Sequence, residues 1–137
     1  MAGEVFLTKL KGMSALTPEQ QERLLAIMMD HARSGETSAL QEAYERGYPL
    51  DIQDGDGNTA LMLAAYNGQV ETLRMLITRG ADVNLRNNRD QSPIAGAIFK
   101  GEEEVVEILR QAGADLDAGT PTARQTAELF GKSELLE

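Results

Sequence analysis

Thr59-Ala60-Leu61-Met62-Leu63-Ala64-Ala65 leads up to Gly68, and Ser92-Pro93-Ile94-Ala95-Gly96-Ala97 leads up to Gly101. The two stretches stand 33 residues apart, and the spacing holds well beyond them. Gly35, Gly68 and Gly101 form one glycine series with period 33, and Gly47, Gly80 and Gly113 form a second with the same period. After Gly68 come Val70, Leu73, Leu76 and Ile77; after Gly101 come Val105, Val106, Ile108 and Leu109. Each unit closes alike, on Gly80-Ala81-Asp82-Val83-Asn84 and on Gly113-Ala114-Asp115-Leu116-Asp117. Self-similarity at a fixed period of roughly 20–50 residues is the mark of a repeat architecture, in which one unit cannot bury its apolar face alone and neighbours must stack.

Within a unit the residue types specify a helix–turn–helix. Thr59 and Ser92 are N-cap residues, whose side-chain oxygens can accept from the orphan amides of a helix start, and Pro93 suits the first helical position. Gly68 and Gly101 permit a tight turn between two short antiparallel helices. Gly80 and Gly113 end the second helix, where a left-handed residue is wanted. The segments that follow extend as hairpin fingers.

With these marks in place the chain resembles the ankyrin-repeat family, whose units carry Gly-x-Thr-Pro-Leu, Ala-Ala, Gly and Gly-Ala-Asp-x-Asn. The resemblance covers about residues 19–137. Residues 54–86 match best; residues 87–117 also match, with Asn87 and Asp90 where Asp and Gly are usual. The family's His after Thr-Pro-Leu is missing, because Met62 and Ala95 stand there, which weakens that local hydrogen-bond network. The small stand-alone format is similar to bacterial ankyrin-repeat proteins. The fold implied is an all-α solenoid of stacked helix-turn-helix units with hairpin finger loops.

The organisation expected is an N-terminal arm over 1–17 and a repeat domain over 18–137. The domain divides into a degenerate first repeat at 18–53, full repeats at 54–86 and 87–117, and a truncated last repeat at 118–137. Thr17-Pro18-Glu19-Gln20 is a capping box, and Leu24, Leu25, Ile27, Met28 and Ala32 follow at helical spacing. Ala39, Leu40 and Ala43 continue that first repeat. Asp30 and His31 replace the usual Leu and Ala, giving it a polar outer face. At the other end Thr122 and Gly131 keep the nine-residue spacing of Thr59 to Gly68, the preceding finger is three residues shorter, and Arg124 replaces the usual Leu. In the arm, Val5, Phe6, Leu7, Leu10, Met13 and Leu16 are expected to fold back on the first helix pair; the alternative is docking onto a partner.

The chain's 137 residues fit one domain with a modest core. Apolar residues make up 42% and aromatics only 4%, a mixture rich in unbranched side chains that favours helix over a β-sandwich. The absence of Cys removes disulfides, thiolate metal sites and Cys nucleophiles. The charge of −9 repels phosphate backbones, so nucleic acid is not an expected partner. No stretch reads as a signal peptide or as a membrane span of roughly 18 apolar residues, so no membrane association and a cytoplasmic location are expected.

Nothing in the chain assembles chemistry. Asp54, Asp56 and Asn58 imitate the start of a calcium loop, but Gly57 comes early and residue 65 is Ala where Glu is needed; a finger turn accounts for them. Asp30 and His31 are adjacent, and neighbouring helix residues point about 100° apart, which prevents direct contact as a dyad. Glu102, Glu103 and Glu104 suit the start of a helix through its dipole. Met28, Met29, Met62 and Met75 fall at core or groove spacing. We therefore expect no enzyme, no cofactor and no metal.

What the resemblance implies is protein–protein interaction through the concave face and finger tips. Carried over residue by residue, the surface comprises Gly55, Asp56, Asn58, Met62, Tyr66 and Asn67 from one repeat, and Asn88, Arg89, Gln91, Phe99 and Lys100 from the next. Tyr66 and Phe99 occupy equivalent positions and are expected side by side, either as a binding hot spot or each lying on its neighbour's helix. Asp51, Asp54 and Asp56 on one finger face Arg86 and Arg89 on the next, either as ion pairs across the stack or as a split surface. The partner is a protein and the free chain a monomer. Inhibitor, immunity or accessory protein of an enzyme are the roles in view, with self-assembly as the alternative and an enzyme with an unrecognised site as the remote one.

Overall fold

The computed structural model describes residues 16–137, so the arm residues Val5, Phe6, Leu7, Leu10 and Met13 lie outside the described residues. Among the described residues seven α-helices follow in order: α1 (Pro18–Ser34), α2 (Thr37–Glu45), α3 (Ala60–Tyr66), α4 (Val70–Thr78), α5 (Pro93–Lys100), α6 (Glu103–Gln111) and α7 (Ala123–Leu129). A 3-10 turn, Ser133–Leu136, stands where a last outer helix would start. There is no strand among the described residues.

Each inner helix starts on a side-chain cap. Thr17, Thr59, Ser92 and Thr122 accept from the amides of Gln20, Met62, Ala95 and Gln125 at 3.1–3.2 Å. Thr17 and Thr122 also form full capping boxes with Gln20 and Gln125. Each cap contributes about 1 kcal/mol, which matters for α3 and α7, helices of only seven residues. The α3–α4 turn needs Gly68 for two reasons. Its φ is +69°, and a Cβ there would stand 2.5 Å from the Glu102 carboxylate of the next unit. Gly35 is covered in the same way by Gln69, whose Nε2 donates to the Arg33 carbonyl at 2.8 Å.

The helices form two layers. α1, α3, α5 and α7 pack in a row, and α2, α4 and α6 pack in a second row behind them. The inner row is the more closely packed because small side chains fill it: Ala32, Ala64, Ala65, Ala97, Ala123 and Ala127 are fully buried. The inner helices line the concave face on which the hollows open. Between the layers Leu40, Leu61, Leu73, Leu76, Ile94, Ile98 and Leu109 form one continuous core. Met28 and Met29 belong to it and Met75 packs against it.

The fingers are joined by hydrogen bonds rather than by charge. In the first, Asp54 Oδ1 accepts from the amides of Asp56 and Asn58, both at 2.9 Å, which is the finger turn expected for this segment. Asn87, 33 residues on, repeats that geometry with a neutral oxygen, accepting from Arg89 and Gln91 at 3.0 Å. Asp90 takes the place of Gly57 and adopts its left-handed backbone, φ 58°. Arg86 pairs with Asp90 of its own finger at 3.0 Å, so it does not reach across to the first finger's carboxylates. Across the stack run instead Asn87 to Asn58 (3.0 Å), and Asn88 to the Gly55 and Asp56 carbonyls (3.1 and 3.0 Å). No helix of the described residues is long and apolar enough to cross a membrane.

Candidate partner-binding groove

Two adjoining hollows open on the concave side, and they share Met62, Tyr66 and Gln91. The first, ≈ 410 Å³, is apolar and lies over α3, α5 and α7, with Ala95, Gly96, Phe99 and Phe130 in its lining. The second, ≈ 460 Å³, is more polar and runs to the fingers, with Asp56, Asn58, Asn67, Asn88 and Arg89 among its lining residues. Tyr66 is the ridge between them.

Gly96 lines the apolar hollow and lets the Tyr66 ring close in on α5. Gly96 occupies the repeat position that Leu63 fills one unit earlier, and it keeps ordinary helical backbone with no positive φ. A glycine inside a helix costs roughly 0.5–1 kcal/mol relative to alanine, with no conformational return here. What it provides is room. A Cβ at Gly96 would come within 3.1 Å of Tyr66 Cδ2, so the tyrosine ring leans over the space the missing side chain leaves. The sequence carried this signal, a glycine in a helical pattern whose repeat-mate is leucine, but the surface carried over from the resemblance omits Gly96.

Tyr66 and Phe99 do line one groove, yet the ring that packs on Phe99 is not Tyr66. Phe130 meets Phe99 edge-on, with centroids 5.4 Å apart and planes at 78°. Tyr66 is held by Lys100, whose ammonium lies 5.0 Å from the ring centroid. Tyr66 and Phe99 thus each lean on the next unit down the stack, and both stay accessible, at 36% and 53% exposure. Phe130 escaped the sequence reading because the fixed period points to Leu129, seven residues after its cap as Phe99 is after Ser92.

The remaining expected residues divide by role. Met62 is buried at 6% exposure and forms the floor of both hollows. Gly55, Asp56 and Asn88 are exposed at the finger tips, tied together by the bonds described above. Asn58 and Gln91 hold Asn87, and Asn67 donates to the Leu63 carbonyl of its own helix at 2.7 Å. Arg89 is exposed, and its guanidinium makes no ion pair or hydrogen bond among the described residues. Arg33 joins the polar hollow from α1, held by Asp30 at 2.8 Å. That bond also commits the Asp30 carboxylate to Arg33, not to His31. Among the described residues no group of three His, Cys, Asp or Glu could hold a metal ion.

These features, helix pairs capped by Thr or Ser and latched by glycine turns with a concave face and bonded fingers, are those of a repeat solenoid. The family model for ankyrin repeats, in three copies, matches residues 28–120, about two thirds of the chain. The chain belongs to the ankyrin-repeat family. Ankyrin repeats are generally protein–protein interaction modules and typically not enzymes. No curated protein matches the chain as a relative.

Proposed function

We propose that this protein binds a partner protein in the concave groove, with Tyr66, Phe99 and Gln91 at its centre and the finger residues Asp56, Asn88 and Arg89 at its edge. The observation that carries the reading is the apolar hollow beside exposed aromatic rings, with Gly96 in its lining. A monomeric soluble protein gains nothing from an open aromatic hollow unless something fills it. The stack has two full repeats between imperfect ends, and its role is that of an inhibitor, an immunity protein or an accessory protein of an enzyme.

Affinity capture from native cell extract tests this. A Tyr66→Ala, Phe99→Ala, Arg89→Glu variant, shown by circular dichroism to be folded, should lose the protein that the wild type retains. Equal capture by both would move the binding surface elsewhere.

Self-assembly is the second reading, favoured by Leu129, 75% exposed at the C-terminal end of the stack. Light scattering across a concentration range separates the two. A mass fixed at one chain removes self-assembly.

A further inference from the structure

The groove is electrostatically unlike the rest of the molecule. The chain carries −9 overall, yet α3 and α5, which form the middle of the concave face, contain no Asp or Glu and one Lys, Lys100. The outer helices α2, α4 and α6 carry Glu42, Glu45, Glu71, Glu103, Glu104 and Glu107 against Arg74 and Arg110. Packed helix axes stand about 8–10 Å apart, and charges separated by more than about 8 Å are largely screened at physiological ionic strength. The acids of the outer layer are therefore muted at the groove, and the field a docked segment meets is set by what lines it. At one end stands Lys100, over the Tyr66 ring with no carboxylate paired to it among the described residues. At the other stands Arg89, with a free guanidinium, beside Arg33, which Asp30 holds, and the Asp56 carboxylate. Among the described residues the unpaired charges at the groove are thus two cations against one acid, on a chain of −9.

Two further properties define the occupant. The apolar hollow, ≈ 410 Å³ with Tyr66, Phe99 and Phe130 in its lining, has room for one large apolar side chain. The polar hollow beside it keeps hydrogen-bonding capacity in hand: Gln91 Nε2 and Asn67 Oδ1 are unused among the described residues. Such groups suit a peptide backbone, which presents a donor and an acceptor at each residue.

We propose that the groove recognises an acidic peptide segment of the partner, in which one aromatic or leucine side chain enters the hollow over Gly96 while flanking carboxylates pair with Lys100 and Arg89. This rests on the concave-face reading above and adds the chemistry of the partner to it.

The test is selection of a random peptide library displayed on phage against the intact protein, with the selected peptides then titrated as labelled synthetic peptides. The expected result is enrichment of one large apolar residue flanked by Asp or Glu, with binding weakened by added salt. Gly96→Leu, which puts a side chain into the hollow and displaces Tyr66, should weaken the selected peptides about thirtyfold or more, as loss of a central anchor does. Lys100→Glu with Arg89→Glu should weaken them about tenfold and turn the preference toward basic peptides. Circular dichroism establishes that each variant is folded, and Gly96→Ala serves in place of the leucine variant if that one is not. Basic or uncharged motifs that still depend on Gly96 would overturn the acidic-segment proposal while leaving the groove in place. Peptides indifferent to Gly96 would overturn both, and a library with no enrichment would overturn the proposal.

Discussion

Asp90 shows how one residue can stabilise a stack while straining its own backbone. A non-glycine residue in the left-handed region costs roughly 1–2 kcal/mol, and Asp90 offsets this with its side chain. Its Oδ2 accepts from Thr120 Oγ1 at 2.6 Å, its carbonyl accepts from the Thr120 amide at 2.8 Å, and its Oδ1 holds Arg86. The shortened last finger thereby hangs from the one before it. Asp90→Ala keeps the strain and loses the bonds, so it should lower stability by about 1–2 kcal/mol, and Asp90→Gly by about 1 kcal/mol less. Asp90→Asn, which tolerates the conformation and keeps an acceptor, should stay near wild type. Urea midpoints at unchanged slope read all three.

Tyr44 makes the opposite case. It is buried, its hydroxyl finds no hydrogen-bond partner among the described residues, and burial followed by the nearby Asp51 pushes its phenol well up. The folded protein therefore holds that proton to higher pH than the unfolded chain, whose tyrosines titrate near 10. Stability from this source is intact below about pH 10 and falls as pH rises beyond it. Tyr44→Phe removes an unsatisfied buried hydroxyl, so it should raise stability by about 1 kcal/mol at neutral pH. It should also flatten the alkaline decline, leaving the smaller part due to Tyr48, whose phenol burial also raises. Denaturation at pH 7 and pH 11 would show a wider gap between variant and wild type at the higher pH; an unchanged gap would remove Tyr44 from the account.

At the scale of the element, α5 carries the conflict between stability and recognition. Its cap and apolar face are those of a stable helix, and Gly96 alone works against it. Gly96→Ala should raise stability by about 0.5–1 kcal/mol, because Tyr66, at the groove rim, can yield the few tenths of an ångström a Cβ requires. Thermal unfolding measures the gain; a lower melting temperature would mean that Tyr66 is fixed where it lies.

The elements were the most legible part of this chain. Thr59, Ser92 and Thr122 cap as their residue types imply, and the glycine series marks the turns, because caps and left-handed positions are local demands that a few residues answer. The groove was legible only in outline. Tyr66 and Phe99 were found because they keep the period, whereas Phe130 was not, because it stands one residue past the equivalent place, which Leu129 takes. Gly96 was quoted as part of the pattern but not read as space, since a missing side chain matters only once its neighbours are in position. The finger charges were left open between cross-stack ion pairs and a split surface. Asn87 and Asn88 decide this against the ion pairs by bonding the fingers through amides.

At the scale of the whole molecule the two layers differ in what they present. The outer helices are acidic and carry solvation, while the concave side gathers aromatic rings, amides and the unpaired cations Arg89 and Lys100 against the single carboxylate of Asp56. Units of such a stack touch only their neighbours, so groove residues from α3, α5 and α7 are aligned by the inner-row packing of alanines and not by any long-range device. Recognition should accordingly survive substitutions on the outer face. Glu71→Lys with Glu107→Lys should leave partner capture unchanged to within about twofold, since exposed charges beyond a Debye length are screened, and capture yields measured beside wild type check it.

Site-specific photocrosslinking tests the central claim most directly. A benzophenone amino acid placed at Phe99, in the groove, is compared with the same residue at Arg74, exposed on the outer helix α4. Irradiation in native cell extract should give a discrete crosslinked partner from position 99 and none from position 74. A partner crosslinked from position 74 and absent from position 99 would contradict the account and place recognition on the convex side.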